Sequence, residues 1–342
     1  MFFAYLNMNY FPVGKLDYRL LEKLLNLNPI KDPRIIVGPK IGEDAAVIDF
    51  GKKYLVAKTD PITFTTHRIG WYAVNINAND IATMGATPKW FLATLLLPEG
   101  KTNAKLATQI FRDIIKSTQK LNITLCGGHT EISYKIDRPI VIGHMLGEVE
   151  KNKLVVNAHA KPGDDLLLTK GIAIEGTAII AREKAVTIKK RFGDRFLKRA
   201  QAFIDKPGLS VVADALLANK VAKIHAMHDP TEGGLATGIM ELAKASGTGV
   251  VIDAEKIPCY EETEQICKFF NIQPLGLIAS GALLIALDPK DTKEVIAILA
   301  KYDIVCTPIG KLTKKSNGLK LLKKGKLIKM PTFKVDEITK II

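Results

Sequence analysis

Long hydrophobic runs are missing from this 342-residue sequence. No apolar stretch approaches the roughly 20 residues that a membrane-spanning helix requires, so we expect no membrane association. The opening MFFAYLNMNYFPVG is apolar but has neither a basic leader nor a small-residue cleavage site, and we expect no signal peptide. Both absences favour a cytoplasmic protein.

Paired cysteines and the commonest nucleotide-binding signatures are missing too. The four cysteines form no CxxC motif, which argues against a thiol redox or zinc site and fits reduced thiols in the cytoplasm. There is no GxxxxGK[ST] segment and no GxGxxG segment. The sequence therefore predicts neither a P-loop NTPase nor a Rossmann dinucleotide-binding protein.

The positive charge does not indicate a nucleic-acid-binding protein. The net charge is +14, but the basic residues are mostly scattered. The densest run, residues 311–329, alternates lysine with apolar residues around SNG and KKG turns and has no aromatic residue on which a base could stack. We predict a solvated hairpin there and no nucleic-acid partner, although the charge would help to attract an anionic ligand such as a nucleotide.

Hydrophobic periodicity predicts an α/β protein of two parts. The first half should contain a helix at 15–26, a hairpin, a helix at 67–86 and then strand, helix and strands. The second half begins at a Pro-Gly turn at 162–163, and its pattern predicts a strand, two helices, a strand, a helix and a strand, in that order. We therefore predict an N-terminal helical segment at 1–40, an N-terminal domain at 41–157 and a C-terminal domain at 158–342.

The predicted hairpin, GEDAAVIDFGKKYLVAKTDP at 42–61, carries an acid at each open end. With the turn at Gly51 and Lys52, pairing should place Asp44 opposite Asp60. Two negative charges in that position destabilise a sheet unless a cation lies between them. Carboxylate oxygens are ligands that Mg²⁺ prefers, so the pair predicts a magnesium site. The alternative is two solvated acids with Lys58 as a local neutraliser.

The helix at 67–86 holds polar residues in an otherwise apolar sequence. Asn77 and Asp80 are three residues apart and share a face, while Asn75 and Asn79 share another. Asparagine and aspartate are poor residues for a helix interior. Apolar residues are so frequent in this helix that a wide solvent-exposed face is hard to accommodate. We therefore interpret Asp80 and Asn77 as functional residues; the alternative is that they lie on a solvated face.

Two glycine pairs follow predicted strands. Gly127 and Gly128 follow the strand ITLC and precede HTE; they would allow a ligand to approach the backbone, but a plain tight turn explains them at least as well. In HAMHDPTEGGLATG, Gly233 and Gly234 stand between Asp229 and a helix. A helix N-terminus binds phosphate, and simple capping by Asp229 or Thr231 is the alternative.

Five segments together resemble the AIR synthase-like (PurM-like) superfamily of ATP-using enzymes. The segments that carry this resemblance are GEDAAVI (42–48), KTDP (58–61), NANDIATMGATP (77–88), GGHTE (127–131) and DPTEGGLATG (229–238). The resemblance implies a two-domain fold with ATP and Mg²⁺ in the cleft between the halves. It also implies an N-terminal domain that pairs with a second copy into a dimeric eight-stranded β-barrel, and a layered α/β C-terminal domain.

The resemblance also implies roles for individual positions. Asp44, Asp60 and Asp80 correspond to metal carboxylates. Where several relatives have aspartate this chain has His129, and Glu131 is the substitute ligand. The implied nucleotide-binding set is Asn77, Gly127, Gly128, Thr130, Asp229, Thr231, Gly233 and Gly234. The candidates for catalysis are Asp60, Lys58 and His129. Of these, Lys58 and His129 would contact the transferred group.

Within the superfamily the chain looks most like the hydrogenase-maturation HypE proteins, with DPTEGGLA in place of DPTRGGLA. Its last cysteine is Cys306, so it lacks the C-terminal cysteine that HypE uses. We expect an ATP- and Mg²⁺-dependent enzyme that phosphorylates an oxygen of a small molecule. The alternatives are a non-catalytic nucleotide-binding partner in metallocentre maturation, a kinase like thiamine-monophosphate kinase or selenophosphate synthetase, and a protein whose acids are only structural.

Overall fold

Two β-sheets divide the chain between them. The computed structural model describes residues 16–27, 29–63 and 65–342, so the opening segment that we expect to contain no signal peptide lies outside the described residues. Strands between residues 35 and 150 form one sheet of six, and strands between 165 and 329 form one of seven. The predicted mixed α/β class is confirmed. The domain limits at 40/41 and 157/158 stay predictions.

The first sheet has the order β1-β2-β3-β6-β4-β5, and only β4 and β5 pair in parallel. Helix α3 makes the crossover between these two strands. The strands are β1 Ile35–Val37, β2 Ala46–Asp49, β3 Lys53–Ile62, β4 Thr87–Pro98, β5 Thr124–Ser133 and β6 Ile140–Glu150, and the helices are α1 Tyr18–Leu25, α2 Ile69–Thr83 and α3 Ala104–Lys120.

The hairpin β2–β3 exists, but its two acids do not face each other. Asp49 pairs with Tyr54, which places the turn where it was predicted. The ladder begins only at Ala46, so Asp44 lies outside it. Strand β3 continues beyond its partner and pairs with β6, where Asp60 stands opposite Gly143. The predicted opposition of Asp44 and Asp60 is therefore wrong.

The segment CGGHTEIS is part of a strand, so the alternative interpretation of Gly127 and Gly128 as a plain tight turn is wrong. Strand β5 runs through both glycines along the edge of the sheet and is exposed over most of its length. Gly128 has φ +153°, and a Cβ there would lie 2.0 Å from the Ala93 carbonyl oxygen. Glycine here lets β5 lie close against β4. Completion of an eight-stranded barrel by a second copy stays a prediction.

The second sheet has the order β13-β12-β9-β11-β7-β10-β8. Its strands β7, β8 and β10 are almost entirely buried. The strands are β7 Asp165–Thr169, β8 Ile224–His228, β9 Gly249–Asp253, β10 Leu284–Leu287, β11 Cys306–Thr313, β12 Leu319–Lys323 and β13 Lys326–Lys329. The helices are α4 Ile174–Glu183, α5 Ala185–Phe192, α6 Asp194–Gln201, α7 Val212–Val221, α8 Gly234–Ser246, α9 Glu261–Phe270 and α10 Thr292–Ala300.

The second half has more elements than its sequence pattern predicted. Four helices, rather than two, join β7 to β8, and β9, α9 and α10 were not predicted. The KKG turn does close a hairpin, since Lys323 pairs with Lys326. The SNG turn does not, because β9 lies between β11 and β12 and pairs with both. Short strands whose partners are distant in sequence leave only a weak local signal.

Helix α2 joins the two halves. All fifteen of its residues are buried, and its core cluster includes Ile174, Phe203 and Leu209 from the second half. The Asn79 side chain donates to the Leu209 carbonyl oxygen at 2.9 Å and accepts from the Val211 amide at 2.8 Å. Burial on every side explains why α2 lacks the apolar stripe of a surface helix.

Membrane-spanning helices are not found in the described part of the chain, where every helix is too short or too polar to cross a bilayer.

The glycines at the two ends of α8 offer a matched test of close packing. Gly234 has φ +65°, and a Cβ there would lie 2.6 Å and 2.7 Å from the carbonyl oxygens of Leu275 and Leu277. Gly247 has φ +66°, but its Cβ would meet no atom within 4 Å. Gly247→Ala should cost about 1–2 kcal/mol, from the left-handed conformation alone. Gly234→Ala should cost about 1–3 kcal/mol more through overpacking. Denaturant unfolding of both variants measures the difference, and equal losses would contradict the packing argument.

Candidate metal centre

Three aspartates from separate parts of the chain meet at one place. Asp44 precedes β2, Asp80 lies on α2 and Asp229 follows β8. One carboxylate oxygen of each lies within 4.8 Å of the other two. Asp80 and Asp229 are buried, and Asp44 is half-buried. The structure thus brings together two of the predicted metal carboxylates and the acid predicted to lie beside the phosphates.

In the part of the chain that the structure describes, neither carboxylate oxygen of Asp229 has a hydrogen-bond partner, although the residue is only 1% exposed. Burial raises the pKa of Asp229 well above its ordinary value, and Asp80 and Asp44 raise it further, while His228 and Lys58 oppose the shift. A buried carboxylate without a partner is costly. A hard divalent cation with oxygen ligands, such as Mg²⁺, would satisfy these atoms, so the donor set fits the implied metal.

Lys58 compensates part of this negative charge. Its Nζ lies 3.1 Å from Asp80 Oδ2 and 3.7 Å from Asp60 Oδ2. Burial by itself would lower the pKa of Lys58, but Asp80, Asp60 and Asp44 together raise it above its ordinary value. Burial raises the pKa of Asp80, and Lys58 opposes that shift. Lys58 is therefore a charged ammonium group that faces two of the acids predicted to bind metal.

His228 supplies a second compensating charge, and sequence reasoning missed it. Its Nδ1 lies 2.8 Å from Asp44 Oδ1, and its Nε2 lies 3.0 Å from Glu241 Oε2. Both ring nitrogens therefore donate to carboxylates, as only the imidazolium can. Burial would lower the pKa of His228, but Asp44 and Glu241 raise it well above 6.5. The one signal in the sequence is a histidine at the end of an apolar strand, directly before Asp229.

Asn77 lies beside the acids with part of its amide unused. Its Nδ2 donates to the carbonyl oxygens of Ala73 at 2.8 Å and Asp60 at 3.2 Å. Its Oδ1 is buried and has no hydrogen-bond partner within residues 16–27, 29–63 and 65–342. That oxygen is therefore available to a donor on a ligand or to a water held by a metal ion. Asn75 and Asn79 instead bond to backbone groups and have a structural role.

The backbone amides of the glycine loop are engaged within the chain. Gly233 N donates to Asp336 Oδ2 at 2.7 Å, and Gly234 N donates to the Thr231 carbonyl oxygen at 3.0 Å. Positive φ angles and close packing are sufficient to explain both glycines. Phosphate contact by Gly233, Gly234 and Thr231 stays a prediction.

The residues predicted on the GGHTE segment lie apart from the three-aspartate group. His129, Thr130 and Glu131 are exposed on β5, and His129 Nε2 lies 3.3 Å from Glu131 Oε2. Glu131 also accepts from the Ser133 hydroxyl at 2.8 Å. Neither Glu131 nor Asp60 belongs to the group that could hold one metal ion in the described residues. The roles predicted for these residues, Gly127 and Gly128 remain to be tested.

Comparison with known protein families identifies both halves of the chain. Residues 42–149 match the N-terminal domain of AIR synthase related proteins, and residues 161–321 match the C-terminal domain. The chain belongs to the AIR synthase related protein family. The resemblance seen in the sequence motifs is confirmed.

Individual relatives cover most of the chain. A protein of Methanocaldococcus jannaschii, provisionally named as a hydrogenase expression/formation protein, is 28% identical over 280 residues, 80% of this chain and 78% of its own. The selenide, water dikinase of Yersinia pestis is 27% identical over 329 residues, 87% of this chain and 91% of its own. The crystal structure of the hydrogenase maturation protein HypE in complex with ATP superimposes with a TM-score of 0.69 at 19% identity, covering 95% of this chain and 97% of that one. This last likeness confirms the PurM-like fold.

Replacing Asp229 tests the metal centre. Asp229→Asn removes one of three clustered carboxylates, so without divalent ions the variant should unfold at the same temperature as the wild type or higher. Mg²⁺ or Mn²⁺ should raise the unfolding temperature of the wild type, since a ligand at 100 times its Kd stabilises by about 2.7 kcal/mol. The variant should lose most of that response.

Asp303→Asn is the matched control, because Asp303 is exposed and its φ of +59° is one that asparagine tolerates. Thermal unfolding with and without 10 mM metal compares the three proteins. An undiminished metal response in Asp229→Asn would show that this carboxylate binds no ion.

Proposed function

We propose that this protein transfers the γ-phosphoryl group of ATP to an oxygen of a small acceptor molecule. The observation that carries the proposal is the group formed by Asp44, Asp80 and Asp229, in which the buried Asp229 carboxylate has no hydrogen-bond partner among the described residues. Such a group fits a magnesium–nucleotide complex, because phosphoryl transfer depends on positioning and on charge neutralisation.

The three aspartates would hold Mg²⁺. When bound, the ion supplies positive charge that offsets the charge of the phosphate oxygens. The imidazolium of His228 holds the Asp44 carboxylate in place. Asn77, whose Nδ2 donates to the Asp60 carbonyl oxygen, ties α2 to the end of β3, and its Oδ1 has no hydrogen-bond partner among the described residues.

Lys58 and Asp60 would act on the transferred group. The Lys58 ammonium lies between Asp80 and Asp60, and a fixed cation there stabilises negative charge as it develops on a phosphoryl group. Asp60 is about a third exposed, which leaves its side chain accessible from the solvent side. His129, on the exposed β5, is the further candidate for contacting that group.

The relatives support ATP as the nucleotide. HypE has been solved with ATP bound, and a relative of similar length is named a selenide, water dikinase. The acceptor stays unidentified. A homodimer, a small-molecule acceptor and a cytoplasmic location stay predictions.

A second candidate is a non-catalytic nucleotide-binding protein that assists metallocentre assembly. The name of the Methanocaldococcus jannaschii relative favours it. The two candidates differ in turnover. Incubation with Mg²⁺·ATP and candidate acceptors, followed by analysis for ADP and AMP, separates them. Tight nucleotide binding without product would favour the assembly role.

Asp60→Asn tests the enzymatic proposal. Loss of the charge beside Lys58 should lower ATP turnover by about 10²–10³-fold, while the unfolding temperature stays near that of the wild type because Asp60 is partly exposed. Asp49→Asn is the matched control: Asp49 lies at the turn end of the same hairpin, where it pairs with Lys151 at 2.7 Å. Unchanged turnover in Asp60→Asn, or an equal loss in Asp49→Asn, would rule out the role given to Asp60.

A further inference from the structure

A cleft of about 730 Å³ lies between the segment that follows β6, the end of α7 and the start of β8. Among the described residues that line it there is no acid. Three lysines and two histidines do line it: Lys153, His159, Lys161, Lys223 and His225. The three clustered aspartates are not part of its wall. The cleft is therefore a second polar site, with the opposite charge to that of the candidate metal centre.

His225 is the buried polar group of this cleft. The residue is only 9% exposed, and its Nδ1 lies 2.9 Å from Asp164 Oδ2. Asp164 is 1% exposed and also accepts from the Lys161 backbone amide at 2.9 Å. A carboxylate only accepts hydrogen bonds, so the proton is on Nδ1 and the orientation of the ring is fixed.

The other ring nitrogen of His225 is left for a ligand. Among the described residues, Nε2 has no hydrogen-bond partner, and it is not sealed from solvent. Because the residue lines the cleft, this nitrogen opens onto it. An imidazole whose Nδ1 donates to a carboxylate can take a second proton at Nε2 and donate it to an anion.

Lys153 is held in place at the wall of the cleft. Its Nζ donates to the carbonyl oxygens of Asn219 at 2.8 Å and Lys220 at 3.5 Å, and Asn219 Nδ2 donates back to the Lys153 carbonyl oxygen at 2.7 Å. A lysine at the C-terminal end of α7 is favoured by the helix dipole, which is the structural explanation for it. The carbonyl partners are uncharged, however, and an ammonium group has a third proton to donate.

The remaining cations have little acid to balance them. Lys161 and Lys223 are exposed, and neither forms an ion pair in the part of the chain that the structure describes. Asp288 is the acid on which they act. The Lys290 backbone amide lowers the pKa of Asp288, and the charges of Lys290, Lys161 and His225 lower it further. Asp288 therefore balances several cations at once, and its own side chain lies 3.7 Å from Lys290 Nζ.

The kind of cation indicates the kind of anion. An arginine fork matches a carboxylate through two parallel hydrogen bonds, whereas lysine binds phosphate as a point charge. The described wall of the cleft contains lysine and histidine and no arginine. Its volume is in the range of small-ligand sites. Several cations around one space also carry more positive charge than one phosphate group neutralises.

We propose that this cleft binds a small molecule with at least two phosphate groups. His225 Nε2 and the Lys153 ammonium contact the ligand from fixed positions, and Lys161 and Lys223 contribute charge from exposed positions. This inference does not rest on the proposed function. The two sites are joined by β8, whose first half carries His225 and whose last residue, His228, bonds to Asp44.

Pyrophosphate is the probe, because it has two phosphate groups and no other recognition element. It is titrated calorimetrically into the full chain after divalent ions have been removed with a chelating resin, so that the three aspartates cannot hold it through a metal ion. Citrate, an anion of similar charge, and inorganic phosphate are titrated in parallel. Pyrophosphate should bind at least about tenfold more tightly than either, and the Lys161→Gln/Lys223→Gln double variant should bind it at least about tenfold more weakly.

Lys220→Gln is the matched control, because Lys220 is an exposed lysine three residues before Lys223 whose side chain does not line the cleft. It should bind pyrophosphate within about twofold of the wild type. His225→Gln keeps a donor for Asp164 but removes Nε2, and it should also weaken binding. Thermal unfolding shows whether this buried variant is folded, and the two exposed lysines test the cleft if it is not.

Four results would overturn the proposal. They are no binding of pyrophosphate by the wild type, equally tight binding of citrate, unchanged binding in the double lysine variant, and an equal loss in Lys220→Gln. Asp229→Asn separates the cleft from the candidate metal centre. It should bind pyrophosphate like the wild type, and a loss of binding would place the probe at the aspartates and reject the cleft.

Discussion

The fold brings three carboxyl groups together in its interior, and two cations among the described residues act on them. Asp44, Asp80 and Asp229 meet within 4.8 Å, and Lys58 and His228 are the cations that act on them. Each cation comes from a different sheet, Lys58 from β3 and His228 from β8. The electrostatic balance of the site therefore depends on the two halves being docked, and the same contacts that dock them shape the site.

Helix α2 shows how an almost wholly buried helix carries polar groups without losing stability. Each of its asparagines has a defined backbone partner: Asn75 within the helix, Asn77 at the end of β3, and Asn79 in the segment before α7. Buried polar groups that are satisfied in this way fix one arrangement of the surrounding elements. Asp80, on the same helix, is then held at a set position against Lys58. Asn75 and Asn79 are structural, and they hold in place the helix that carries Asn77 and Asp80.

Local sequence signals predicted what depends on neighbouring residues and failed where partners are distant. The α2 and α3 helices, the β2–β3 hairpin and the acids at 44, 80 and 229 all have local signals. His228 has only its place at the end of an apolar strand, and this does not identify its partner Asp44, which is 184 residues away. Asp336, which accepts from Gly233 N, was missed for the same reason. The sequence does not distinguish a tight turn from a strand at the glycines of β5, because glycine that permits close strand packing and glycine that permits a turn look alike there.

The engaged amides of the glycine loop bear on how a nucleotide can bind. Gly233 and Gly234 donate to Asp336 and Thr231, so these two amides are not free to hold phosphate in this structure. A triphosphate and a group of aspartates repel each other, and Lys58 and His228 do not offset the charge of both. A divalent ion held by the three aspartates would supply positive charge that offsets this repulsion. We therefore expect nucleotide affinity at this site to increase steeply with the concentration of divalent metal ions, because the clustered aspartates repel the phosphates when no ion is bound.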